Sequence, residues 1–156
     1  MRIVYRMAHV NYAQDLSGDG ARLYGGRWNN KGTGLIYTAA SRSLAAFEAL
    51  VHMSHPDFLV GRKLVSIGIP KSINPKRLDL SLLQKDWFKN PPSFALADIG
   101  TAWAVGMSSL LLQVPSAVVQ QEFNILINPR HPDMKFVKIV DVEDFKYDDR
   151  LNPAPK

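Results

Sequence analysis

The chain predicts an α+β fold: a single domain over residues 1–156, with mixed or antiparallel sheets and two main helices. Three observations predict it. Short β-rich segments recur without a regular strand–helix–strand alternation, which argues against a parallel βαβ architecture. Two longer tracts carry apolar residues at helical spacing. With 156 residues, 46% of them hydrophobic and 21% charged, the chain fits one core of ordinary composition.

Arg2-Ile3-Val4-Tyr5-Arg6-Met7 alternates polar and apolar side chains and predicts a half-buried strand, with Ile3 and Tyr5 on one face and Arg2, Val4 and Arg6 on the other. Arg6 then lines a cleft or faces solvent. Residues 11–26 are rich in Asp, Ser and Gly and too long for a simple connector, which points to a functional loop. Leu35-Ile36-Tyr37-Thr38-Ala39 predicts a short strand. Ser41 is then a suitable N-cap for a helix reaching about His52, with Leu44, Phe47 and Val51 as its apolar stripe. Glu48 falls beside that stripe, where a carboxylate needs an arginine, a hydroxyl or a cavity for company.

Lys63–Ile69 alternates again and stops at Pro70; residues 71–91 look irregular apart from a short element near Leu80–Leu83. Ser93 through about Ser109 predicts a mostly buried helix containing Phe94, Ala97, Trp103 and Val105. Strands are expected at Leu110–Val114, ending on Pro115-Ser116, at Phe123–Ile127, and at Phe136–Val140. The tail, residues 148–156, has two prolines and few apolar residues and is expected to be loose.

Composition narrows the chemistry. The absence of cysteine excludes disulfides, thiolate catalysis and thiolate metal sites. No apolar run approaches the roughly 20 residues of a membrane span, and the N-terminus lacks a signal-peptide pattern, so the expectation is a cytoplasmic protein with no membrane contact. The net charge of +5 is uneven: residues 1–78 hold 11 Lys/Arg against 4 Asp/Glu, and residues 79–156 hold 8 against 10. Such asymmetry suits an anionic partner, although a solvated basic face explains it equally well.

Several familiar sites are missing. Gly18-x-Gly20 has no third glycine at dinucleotide-fold spacing, no Gly-Lys-Ser/Thr follows a glycine loop, and Ser116 lies in no Gly-x-Ser-x-Gly elbow. Glu48, His52 and His55 share helical spacing, but no further ligand completes the set and no metal is expected. Gly25-Gly26-Arg27-Trp28-Asn29 is a better candidate: two glycines followed by a guanidinium, an aromatic ring and an amide suit an anionic, planar ligand. Arg6, Tyr37, Glu48 and Ser116 add complementary chemistry. Guanidinium grips phosphate, an aromatic ring stacks on a flat ring, and a carboxylate stabilises an oxocarbenium cation. Taken singly each has a structural alternative: an ion pair for Arg27, a core position for Tyr37, a helix salt bridge for Glu48, a cap for Ser116.

Tyr24-Gly25-Gly26-Arg27-Trp28-Asn29, Ile36-Tyr37-Thr38-Ala39, Leu44-Ala45-Ala46-Phe47-Glu48, Val114-Pro115-Ser116-Ala117 and Asn124–Pro129, taken together and in this order, resemble the RES-domain family of toxins from bacterial toxin–antitoxin pairs. The resemblance implies an ADP-ribosyltransferase-like fold, NAD⁺ as substrate with no separate cofactor, and loss of NAD⁺ as the cause of growth arrest. It also implies a hetero-oligomer with an Xre-like antitoxin that blocks the pocket, and no direct nucleic-acid binding by this chain. Glu48, Arg27, Tyr37 and Ser116 are its implied catalytic residues, with Arg6, Trp28 and Asn124 as further ligand contacts. Water, phosphate or a protein side chain could accept the ADP-ribosyl group. The alternative is a basic toxin that binds or cleaves RNA, using the positive half and stacking on Tyr24 and Trp28.

Overall fold

The computed structural model describes residues 1–53 and 61–151. Seven strands make one sheet: β1 (Arg2–Ala8), β2 (Ile36–Ala39), β3 (Arg62–Ile69), β4 (Lys76–Arg77), β5 (Leu111–Pro115), β6 (Phe123–Ile127) and β7 (Lys138–Phe145). Their order is β4-β5-β6-β2-β1-β3-β7, antiparallel except for the parallel edge pair β4/β5. Among the described residues three α-helices accompany it: α1 (Asp19–Tyr24), α2 (Arg42–Leu50) and α3 (Phe94–Gly106). The expected α+β class therefore stands, with a single mixed sheet.

Period-2 alternation divides the core between the two faces of this sheet. Val4, Ile36, Val65, Ile67, Leu111, Ile125 and Ile127 form one cluster. On the opposite face Leu112, Val114 and Leu126 pack with Leu96 and Trp103 of α3, while Ala39 and Leu64 meet Leu44 and Ala45 of α2. Both long helices thus cover the same face. The two strands β1 and β2 share one paired position, Tyr5 opposite Ala39, whereas β1 follows β3 along its whole length. Beyond Tyr5 the sheet is open between β1 and β2, and α2 lies beside that opening, against both strands.

Several expectations need correction. The 11–26 loop contains helix α1 and a 3₁₀ turn at Val10–Tyr12, both too short for periodicity to show. Strand β3 is buried on both faces from Leu64 to Ile69 because it lies between β1 and β7, so its alternation is not that of a half-exposed strand. The two-residue strand β4 falls in the tract expected to be irregular, whereas a 3₁₀ turn at Leu80–Leu82 matches the short element expected there.

The last strand starts later and runs longer than the expected Phe136–Val140, since Pro132–Phe136 form a 3₁₀ turn. Ser66 faces Asp141 while Ile67 faces Ile139, a bulge that passes over Val140 and breaks the alternation. Ser41 caps α2 as expected, its side chain accepting from Leu44 N at 3.1 Å, but the helix buries Leu44 and Ala45 and leaves Phe47 49% exposed. Helix α3 is likewise one-sided: Leu96, Ala97, Gly100, Trp103 and Ala104 are buried, and Phe94 and Val105 are exposed. Of the tail, Asp149–Leu151 form a 3₁₀ turn, and residues 152–156 lie outside the described residues, as does His55.

Candidate active site

Residues of β1, β2 and α2 together border a cleft of about 870 Å³. Tyr5 and Met7 of β1, Tyr37 and Thr38 of β2, Glu48 of α2 and Asn124 of β6 contribute to its lining, with Gly25, Gly26 and Arg27 along one wall. A pocket of this size falls in the range of small-molecule and cofactor sites.

Glu48 is fixed from two other elements. Ser116, just after β5, donates from Oγ to Glu48 Oε1 at 2.6 Å, and Asn124 donates from Nδ2 to the same oxygen at 2.6 Å. Among the described residues Oε2 accepts no hydrogen bond, so the second carboxylate oxygen is left for the cleft. Ser116 also accepts from Val118 N at 3.1 Å and Val119 N at 3.0 Å, but these bonds close a turn between β5 and β6 and no helix follows, so Ser116 is not the helix cap that the sequence offered as its alternative. It is 0% exposed, and it stands behind Glu48, outside the cleft lining.

Arg27 donates from Nη1 to the carbonyls of Trp87 and Lys89, both at 3.1 Å. Nε and Nη2 have no partner among the described residues. Partial burial lowers the proton affinity of this guanidinium, while the Glu48 carboxylate and Tyr37 pull it back up. The two charges therefore act on one another within the same cleft without forming a direct ion pair.

The loop before β2 is organised by Asn29, which is 1% exposed. Its Nδ2 donates to the carbonyls of Ala21 at 2.8 Å and Thr33 at 2.9 Å, and its Oδ1 accepts from the Tyr37 hydroxyl at 2.5 Å. The same hydroxyl accepts from Trp28 N at 3.1 Å. Burial pushes the Tyr37 phenol well above its usual range, against weaker opposing effects from the Trp28 amide and Arg27, so it stays neutral at physiological pH. A side chain at Gly26 would place its Cβ 2.6 Å from the Tyr37 hydroxyl and 2.9 Å from Asn29 Oδ1. Gly26 is therefore required for close approach, not for φ; Gly25 supplies the positive φ, 72°, that ends α1.

Residues 3–148 match the family model described as the RES domain. The chain belongs to the RES-domain family. A relative from Photorhabdus laumondii named "Toxin Res" is 40% identical over 99% of each chain. A "Prs ADP-ribosylating toxin" from a Sphingobium species is 38% identical, covering 92% of this chain and 91% of that one. Among solved structures, a chain of the M. tuberculosis MbcT–MbcA toxin–antitoxin complex superposes with a TM-score of 0.76 at 19% identity, covering 93% of this chain and 84% of that one. That last likeness is one of fold.

Within this RES-domain chain, Glu48, Ser116 and Asn124 are brought into direct contact, and Arg27 and Tyr37 share the cleft with them. Arg6 borders the cleft, yet its Nη2 donates to the carbonyls of Tyr12 at 3.1 Å and Ala13 at 3.4 Å, and its buried Nε has no partner. Burial lowers its proton affinity and Asp15 opposes the change.

Trp28 lines the cleft, yet most of it lies in the core. It is 2% exposed, its ring centroid 6.4 Å from that of Trp87 in the cluster under α3, and its carbonyl oxygen would stand 1.8 Å from a Cβ at Gly100. A large apolar ring beside a helix is more stable in the core than at a ligand surface. Trp28 thus supports the site from behind, and the RNA alternative loses one of its two stacking rings. Among the described residues no group of three or more His, Asp or Glu could hold a metal, and no helix is long and apolar enough to cross a membrane.

Two features escaped the sequence. Asn29 belonged to the motif, but its amide serves the loop's own carbonyls instead of a ligand. Phe88 lines the cleft from the tract expected to be irregular, where no periodicity marks it.

Proposed function

We propose that this chain is the toxin of a toxin–antitoxin pair and that it cleaves the bond between nicotinamide and ribose in NAD⁺. The observation that carries the reading is the Glu48 carboxylate, held through Oε1 by Ser116 and Asn124, with Oε2 unbonded among the described residues, in a cleft shared with Arg27. In this reaction the bond's electron pair leaves with nicotinamide, which departs neutral. Positive charge then develops on C1′ and the ring oxygen of the ribose. A carboxylate already oriented by two donors stabilises that charge without reorganising as the charge forms. Because the leaving group carries its positive charge in the substrate, it needs no protonation.

Arg27, whose Nε and Nη2 have no partner among the described residues, holds the pyrophosphate, and the half-buried face of Tyr37 supports the nicotinamide or its ribose. Water, inorganic phosphate or a protein side chain then bonds to C1′ and releases its proton, giving a glycohydrolase, a phosphorylase or an ADP-ribosyltransferase. The relatives' names, "Toxin Res" and "Prs ADP-ribosylating toxin", support a toxin, and the second supports ADP-ribosyl chemistry; NAD⁺ as its donor and the cytoplasm as its place belong to the proposal. The partner in this reading is an Xre-like antitoxin that covers the cleft and carries the nucleic-acid contact; the fold neighbour comes from a toxin–antitoxin complex.

The test is incubation of the purified chain with NAD⁺, with and without phosphate or cell lysate, followed by identification of the products. Free nicotinamide is expected in at least one condition. NAD⁺ left intact in all of them would sink the proposal. Glu48→Gln keeps an acceptor for Ser116 and Asn124 and removes the charge, so kcat falls by about 100-fold or more while NAD⁺ still binds.

A further inference from the structure

Among the described residues, the Tyr, Trp and Phe residues that line the cleft are Tyr5, Trp28, Tyr37 and Phe88. Three of them have prior engagements. Trp28 lies in the core. The Tyr37 hydroxyl is held between Asn29 and Trp28 N, and its ring packs against the cluster under α3. Tyr5 has Arg42 4.8 Å from its ring centroid and receives a hydrogen bond from Arg42 Nη1 at 3.3 Å.

Phe88 is different. It is half-buried and followed by the polar, exposed Lys89 and Asn90, and its ring meets that of Trp87 edge-on, centroids 6.0 Å apart. The carbonyls on either side of it, those of Trp87 and Lys89, are the two that accept from Arg27 Nη1. The guanidinium proposed to hold pyrophosphate therefore also sets the position of this ring.

Arg27 hydrogen-bonds the backbone on either side of Phe88 and lines the same cleft as Glu48, so the guanidinium neighbours both. In NAD⁺ the pyrophosphate separates the nicotinamide ribose from the adenosine. We infer that Phe88 is the stacking wall of a purine subsite, taking the adenine of the dinucleotide while Glu48 faces the nicotinamide ribose. This rests on the NAD⁺ reading and adds the residue that distinguishes a dinucleotide from a mononucleotide. An aromatic face suits this task, since base stacking on such rings is strong and every purine offers a π-face.

The test compares kcat/KM for NAD⁺ with that for nicotinamide mononucleotide, which has the same scissile bond and no adenosine, in the full chain. Phe88→Ala and Phe88→Leu each lower the preference for NAD⁺ about tenfold, and Phe88→Trp keeps it. AMP, which carries adenine without the scissile bond, competes with NAD⁺ about tenfold less well in both smaller variants. A merely structural role would slow both substrates alike. A folded Phe88→Leu protein with native preference and native AMP inhibition overturns the subsite. If the native chain leaves NAD⁺ intact, the underlying reading fails instead, so the two failures are distinguishable.

Discussion

The Ser116 hydroxyl donates to Oε1 of Glu48 at 2.6 Å although 68 residues separate the two in sequence. The serine meets no solvent and lies outside the cleft lining. In the proposed reaction it therefore acts through the carboxylate, as a positioning residue, with no direct hydrogen bond to the ribose or carboxamide.

Replacing Ser116 by Ala removes one of two donors from the carboxylate and leaves Val118 N and Val119 N without their acceptor. Loss of a hydrogen bond to a charged group costs about 1.5 kcal/mol, about tenfold in kcat. The KM for NAD⁺ should change little, because Ser116 does not touch the cleft. Steady-state kinetics with a thermal melt check this; a raised KM at unchanged kcat would place the serine against substrate after all.

Asn124→Asp sets a second carboxylate where the amide now stands 2.6 Å from Glu48 Oε1. Two carboxylates at that distance cannot both ionise readily, so one holds its proton to higher pH. Activity that needs the Glu48 charge is then lost at a higher pH than in the native chain and returns as pH rises through the raised value. The acid limb of the kcat/KM profile should move up by about one unit or more. A uniform loss across pH, with no shift of the limb, would mean that Asn124 contributes shape alone.

Gly26→Ala forces the new methyl against the Tyr37 hydroxyl at 2.6 Å. Overpacking of this kind costs about 1–3 kcal/mol. The melting temperature should fall by about 5 °C, with a raised KM, because the moved loop carries Arg27. Tyr37→Phe removes the oxygen that is struck, so the double variant should be less destabilised than the sum of the two singles. Simple additivity in a double-mutant cycle would show that the clash lies elsewhere.

Arg27→Lys keeps the charge and loses the planar fork. A point charge cannot serve two loop carbonyls with one nitrogen while presenting others to a phosphate. The KM for NAD⁺ should rise about tenfold, the scale of one lost charge-assisted hydrogen bond, with a smaller fall in kcat. An unchanged KM would show that Arg27 grips the loop and nothing more.

Much of the fold was legible because burial imposes a period. Leu64–Ile69, Leu111–Val114 and Phe123–Ile127 are apolar enough to mark strands, and Ser41 marks the start of α2 through its cap. Strand β7 was misplaced because its bulge at Val140 breaks the alternation that sequence reading depends on. Helix α1, with six residues, and strand β4, with two, are too short to show any period.

Arg27, Tyr37 and Glu48 were identified from the sequence alone as one constellation, because their chemistry is complementary and their motifs come in a characteristic order. Their division of labour was not. Whether Ser116 faces substrate or Glu48, whether Trp28 stacks on a ligand or fills the core, and which ring borders the cleft from residues 84–92 depend on which side chains long-range pairing brings together. Sequence order sets the donors and acceptors available; the register of β2 with β6 and of β5 with β6 decides which of them meet.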